Sequence, residues 1–135
     1  MISLSRLLGF QSAFAALSLA YLLYSAYLLR TVGEALSAAP LLPSILLFVA
    51  YGACLFLPRI GSIRAYRTSM VFAVLLFGGG GVVGNVVRYL GSGLESYADF
   101  GAWALAVAIN TFGTVWNIVA ALGLFDLRRN SAFLE

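Results

Sequence analysis

The 135-residue chain is 62% hydrophobic and 10% charged, far more apolar than the roughly 45–50% of a soluble domain, which leaves no room for a separate soluble domain. Eight arginines face five acidic residues, but they sit at the ends of apolar stretches and not along one exposed face, which excludes nucleic acid as the expected partner. With no histidine and a single cysteine, Cys54, the chain lacks the usual ligands for haem or zinc and cannot form an internal structural disulfide.

Four apolar stretches follow one another at about residues 7–29, 36–57, 69–90 and 100–125. Hydrocarbon offers the backbone no water, so a spanning segment satisfies its own N–H and C=O groups as a helix of about 20 residues. The expected fold is an all-α, single-domain membrane protein over residues 1–135. It is an up-down-up-down bundle of four transmembrane helices in two hairpins.

The first span follows Arg6, and its apolar core exceeds the roughly 7–15 residues of a signal-peptide h-region, so it is expected to stay as a helix. Gln11, Ser18 and Ser25, with Tyr21, fall on one stripe of it. Short uncharged side chains of this kind suit a helix-packing seam. The second span is bounded by Pro40, Pro43 and Pro58, residues that fit a first helical turn or stop a helix at its far end. Cys54, inside this span, reads as a small hydrophobe.

The third span carries Gly78-Gly79-Gly80-Gly81 at its midpoint, either a packing notch or a break in the helix. At helical spacing Val74, Gly78, Gly81, Asn85 and Arg88 share a face. On the fourth span Trp103, Ala106, Asn110, Gly113, Thr114 and Asn117 share another, and the two faces are expected to meet. The candidate helix-packing or ligand seam is therefore Gly78, Gly81, Asn85, Asn110, Gly113, Thr114 and Asn117. Arg88 is the only charge inside the spans, within about one turn of an end, where it can reach headgroups, bind an anion, or pair with Glu95 or Asp99.

Arg6, Arg59, Arg64, Arg67, Arg128 and Arg129 fall on one side of these spans, and Arg30 and Arg88 on the other. The positive-inside rule then places both termini and the middle connection in the cytoplasm, in what reads as a bacterial inner membrane. Tyr24, Tyr27, Tyr89, Tyr97 and Trp103 gather at the opposite end as an expected interfacial belt, and Tyr66 marks the cytoplasmic boundary.

Gly80-Gly81-Val82-Val83-Gly84-Asn85-Val86-Val87-Arg88-Tyr89, followed by Ile109-Asn110-Thr111-Phe112-Gly113-Thr114, resembles the opening half of the small bacterial fluoride channels. The resemblance implies a pore-lining donor at Asn110 and a positioning charge at Arg88. Two other spans precede these motifs here, and the family's later Phe- and Thr-rich helix break has no counterpart in the chain.

The spans hold no Asp or Glu, and no Ser-His or Cys-His dyad can form, so no catalytic residue is assigned and the chain is not expected to be an enzyme. The first expectation is an accessory, assembly or structural subunit of a larger membrane complex, working through helix contacts in a hetero- or homo-oligomer. The second is a small ion or solute channel or transporter along the seam of helices three and four, with the glycine run unwound. The third is a lipid or quinone held in that same seam. No cofactor held by His or Cys is expected; membrane lipids are partners on every reading.

Overall fold

A computed structural model describes residues 1–127; Arg128 and Arg129 lie outside the described residues. The described chain is all-helical apart from one short strand pair, and four helical stretches are long and apolar enough to cross a membrane: Leu4–Thr31, Leu41–Ile60, Ile63–Ser92 and Phe100–Leu122. In detail these are α1 (Leu4–Thr31), α2 (Leu41–Cys54) continued by a 3-10 turn (Leu57–Ile60), α3 (Ile63–Ala73) running through a π-helical segment (Val74–Gly84) into α4 (Asn85–Ser92), and α5 (Phe100–Leu122). Strand β1 (Ile2–Ser3) pairs in parallel with β2 (Phe125–Asp126), which ties the two ends of the described chain together at one end of the bundle.

Polarity is inverted relative to a water-soluble core. Gln11, Ser18, Ser25, Asn85 and Asn117 are buried, whereas Leu23, Leu42, Val49, Phe72, Leu75, Val87 and Leu105 are exposed. A continuous apolar exterior of this extent is what a lipid-facing bundle presents and what a soluble monomer avoids. The inner stripe of α1 runs Leu4, Leu7, Gln11, Phe14, Ser18, Leu22 and Ser25, steps of three and four that keep one helix face inward. The inner stripe of α5 is built largely of small residues, Ala102, Ala106, Gly113 and Ala120, with Ile109 and Asn117. Small residues let backbones approach, and α5 accordingly packs against both α1 and the third helical stretch. Helix α2 leans mainly on α1, and its contact with the third stretch is sparse. One side of the bundle is therefore open.

At the end that carries β1 and β2, four helices share one buried hydrogen-bond cluster. The Tyr66 hydroxyl donates to Gln11 Oε1 at 2.5 Å, Gln11 Nε2 donates to Asn117 Oδ1 at 3.0 Å and towards Met70 Sδ at 3.1 Å, and the Tyr51 hydroxyl donates to Asn117 Oδ1 at 2.7 Å. Tyr66 is fully buried among the helices, where Gln11 gives its hydroxyl a partner inside the bundle. Above this cluster the rings of Phe14, Phe48, Tyr51 and Phe77 pack edge-to-face or stacked, with centroids 5.0 to 5.7 Å apart. They fill the middle of the bundle.

Helix boundaries differ from the expected ones at two places. Helix α2 starts at Leu41, not near residue 36, because residues 36–38 pair with the connection that precedes α5. Ser37 and Tyr97 form an antiparallel bridge, Ala38 N donates to Ser96 O at 2.9 Å, and Ala98 N donates to Leu36 O at 3.0 Å. Ser25 Oγ on α1 accepts from the N–H groups of Leu36 and Ser37, which pins this bridge to the bundle. The third stretch starts at Ile63, not residue 69, which brings Arg64 and Arg67 onto a helix. Arg67 has a defined task there: its Nε donates to Ala121 O at 3.2 Å, and its guanidinium lies over Gly123, whose left-handed φ of +73° ends α5. A cation at a helix C-terminus satisfies late carbonyls and the macrodipole together.

The Gln11–Tyr66 bond is measurable by a double-mutant cycle of Gln11→Leu and Tyr66→Phe, read as unfolding free energy in detergent or bicelles. The expected coupling is about 0.6 kcal/mol and at most about 1.7 kcal/mol, the range of buried hydrogen bonds between membrane helices. Strictly additive effects would show that the two side chains do not interact.

Candidate functional site

The glycine run is wound. Residues Val74–Gly84 form a π-helix, whose hydrogen bonds span five residues. Glycines lack the side chains whose crowding would resist such a wide turn, and the run Gly78–Gly81 sits at its centre. Asn85 closes the segment: its N–H bonds to the Val82 carbonyl, and its side-chain Nδ2 donates to Gly81 O at 2.8 Å. Backbone groups at the transition from π to α geometry thus receive partners. The unwound stretch that a discontinuous-helix transporter site requires is absent among the described residues.

Two of the glycines admit α5. A Cβ built on Gly78 would meet Thr114 Cγ2 at 2.9 Å, and one on Gly81 would meet the Asn110 amide at 2.5 Å. Gly79 and Gly80 face open space. The expected meeting of the third and fourth spans therefore occurs at Gly78–Thr114 and Gly81–Asn110. Gly113 and Asn117 turn elsewhere: a Cβ on Gly113 would strike the Phe14 ring on α1, and Asn117 joins the Gln11 cluster. The seam read from the sequence is two contacts of α5, one with the glycine run and one with α1.

Asn85 organises the far end of the bundle. Its Oδ1 accepts from the Tyr97 hydroxyl at 2.9 Å and from Arg88 Nη1 at 3.5 Å, and its backbone carbonyl accepts from Trp103 Nε1 at 3.2 Å. Tyr97 and Trp103, expected in an interfacial belt, have their polar atoms turned onto Asn85. Tyr24 and Tyr27 are exposed and stack on each other. Burial pushes the Tyr97 hydroxyl above the ordinary tyrosine range, opposed by the nearby Arg88 guanidinium and by the bond to Asn85.

Asn85, Arg88 and Tyr97 form part of the wall of a cavity of about 490 Å³, within the roughly 300–1,000 Å³ of ligand pockets. Its far-end rim is polar, with Arg88, Asn85, Tyr97, Ser37, Ser96 and Ser44. Its deeper wall is mostly apolar, with Leu22, Leu47, Phe48, Leu76, Phe77, Gly80 and Ile109 beside Ser18 and Asn110. The aromatic layer of Phe48 and Phe77 closes the bottom. A second groove of about 210 Å³ continues along α2 and α3 on the other side of that layer and shares Leu47, Leu76 and Phe77 with the cavity. Both lie on the side where α2 and the third stretch separate.

Of the seam residues named from the sequence, Gly81, Asn85 and Asn110 line the cavity, as does Arg88, named as a headgroup or anion contact. Asn110 Nδ2 donates to Ala106 O on its own helix at 2.9 Å, so the amide that the fluoride-channel resemblance would assign to a pore is occupied locally. Sequence reasoning missed the contribution of the connections, Ser37 and Ser96 with Tyr97, and of Ser44 on α2. The Pro-bounded, serine-bearing segment from Ser37 to Ser44 carried the available signal. No group of three or more Asp, Glu, His or Cys side chains arranged to hold a metal ion occurs among the described residues. Comparison with protein-family models, with curated proteins and with solved structures gives no match to this chain.

Gly81→Ala should destabilise the protein by about 1–3 kcal/mol, because the added methyl overpacks against Asn110. Asn110→Ala in the same chain should recover part of that loss, whereas Gly79→Ala, with open space beyond it, should be neutral or stabilising by up to about 1 kcal/mol. Thermal melts of the three variants in detergent decide the matter; equal losses in Gly79→Ala and Gly81→Ala would contradict the assigned contact.

Proposed function

We propose that this protein is a non-catalytic, membrane-embedded binding protein that takes an apolar or amphiphilic small molecule sideways into the gap between α2 and the third helical stretch. The observation that carries the reading is the cavity of about 490 Å³, polar at one end and apolar below, on the open side of a bundle whose exterior is otherwise hydrocarbon-like. On this reading the four stretches span a bacterial inner membrane. Both termini and Arg6, Arg59, Arg64 and Arg67 are then cytoplasmic, and the cavity mouth faces the opposite leaflet. A lipid or a quinone has the required shape, one polar end on a long apolar body.

A channel along the seam of α5 and the glycine run has less support. The aromatic layer and the Gln11 cluster fill the bundle below the cavity, and a continuous π-to-α helix replaces the break that would supply freed carbonyls. The helix-contact reading keeps a specific observation in its favour. Gly79 lies exposed outside the cavity with nothing above it, which leaves room for a transmembrane helix of a partner or of a second copy.

Native mass spectrometry of the mildly extracted protein tests the binding reading. The wild-type chain should retain a small molecule of lipid or quinone mass. Gly80→Phe and Ser44→Phe, which fill the cavity from its two walls, should lose most of that occupancy while melting near the wild-type temperature. Bare protein, or retention unchanged by both substitutions, would rule the cavity out as the binding site.

A further inference from the structure

Among the residues that line the cavity, Arg88 is the only charged one, and its placement has no internal explanation. Glu95 and Asp99 stand near it in sequence, yet neither lines the cavity, and Asp99 Oδ1 is already occupied as the N-cap of α5, accepting from Ala102 N at 2.7 Å. Within the described residues Arg88 has no carboxylate partner; it has the long bond to Asn85 Oδ1 at 3.5 Å. A guanidinium carries five donors in a planar fork, so at least most of its donors remain available at the mouth. Around it the Ser37, Ser44, Ser96 and Tyr97 side chains add hydroxyls to the rim.

Depth gives the second half of the inference. From Arg88 down to Phe77, where the aromatic layer ends the cavity, the helix covers roughly 15 Å at about 1.5 Å per residue. That is one leaflet's share of a hydrocarbon core about 30 Å thick. The wall over this depth is largely apolar, with Leu22, Leu47, Leu76, Ile109 and the side-chain-free surface of Gly80 and Gly81; Ser18 and Asn110, whose amide bonds to Ala106 O, are its polar members. Charge at the mouth and apolar depth below match one molecule in one leaflet.

Resting on the binding reading above, we propose that the occupant is an anionic phospholipid whose phosphate sits on Arg88 and whose acyl chain lies in the cavity between α2 and the third stretch. A hydrogen bond between charged partners holds the phosphate, the absence of a headgroup cation beside the guanidinium supplies the preference for an anionic over a zwitterionic lipid, and the gap between the helices supplies lateral entry. Arg88 is the residue that selects the headgroup; the apolar wall accepts any chain that reaches the aromatic layer.

The test reconstitutes the full chain in nanodiscs of phosphatidylglycerol and phosphatidylcholine with identical chains and weighs the lipid that stays bound after release. Wild type should retain phosphatidylglycerol over phosphatidylcholine by about tenfold. Arg88→Gln should abolish that preference while still retaining lipid, Arg88→Lys should keep part of it, and inorganic phosphate added alone should not displace the lipid. An undiminished preference in Arg88→Gln overturns the proposal, as does displacement by free phosphate or a wild type that holds both lipids equally. If lipid is retained without headgroup preference and is lost in Gly80→Phe, the headgroup assignment fails and the binding reading stands. If wild type and Gly80→Phe retain the same lipid to the same extent, the binding reading fails with it.

Discussion

Gln11 is the residue on which the arrangement of this bundle turns. Helices in hydrocarbon gain nothing by burying leucine against leucine when lipid is equally apolar, so specific contacts must fix which faces meet. Gln11 links α1 to α3 through Tyr66 and to α5 through Asn117, and Tyr51 brings α2 to that same Asn117 oxygen. Each of these side chains would be costly if left unpaired in an apolar interior, and together they leave little freedom for one helix to slide past another. The cluster is still incomplete, since Asn117 Nδ2 and, one turn away, Thr114 Oγ1 have no partner in the structure.

Between its two tied ends the bundle is open on one side. The Gln11 cluster and the aromatic layer of Phe14, Phe48, Tyr51 and Phe77 occupy the lower half of the bundle. Above them α2 diverges from the third stretch, and the glycine run removes side chains that would otherwise fill the gap. Gly78 and Gly81 spend that space on α5, whereas Gly80 leaves it to the cavity. Adjacent glycines in one π segment therefore serve two different neighbours.

The lengths and order of the four helices were legible because apolar runs of this size have few alternatives in an all-apolar chain. The far-end bridge was not, since Ser37 and Tyr97 are remote in sequence and backbone pairing leaves no side-chain signature; that pairing delayed the start of α2 to Leu41. The face of α5 from Trp103 to Asn117 is one stripe at helical spacing, yet it meets two neighbours. Asn110 and Thr114 face the glycines, while Gly113 and Asn117 face α1. Tyr66, Tyr97 and Trp103 were placed at interfaces by residue type, and the hydrogen-bond partners that turned their polar atoms inward, Gln11 and Asn85, could be found only in three dimensions. Gly78–Gly81 signalled an irregularity without its kind, because glycine permits a break and a wide turn equally.

The bridge between residues 36–38 and 96–98 has a mechanical consequence. It joins the start of α2 to the chain that leaves the third stretch, and at the other end the same two helical stretches are joined covalently through the 3-10 turn and Gly61. The gap between them is thus a slit stitched at both ends. Such a slit cannot hinge open like a jaw; it widens only by bowing at mid-length, beside the glycines.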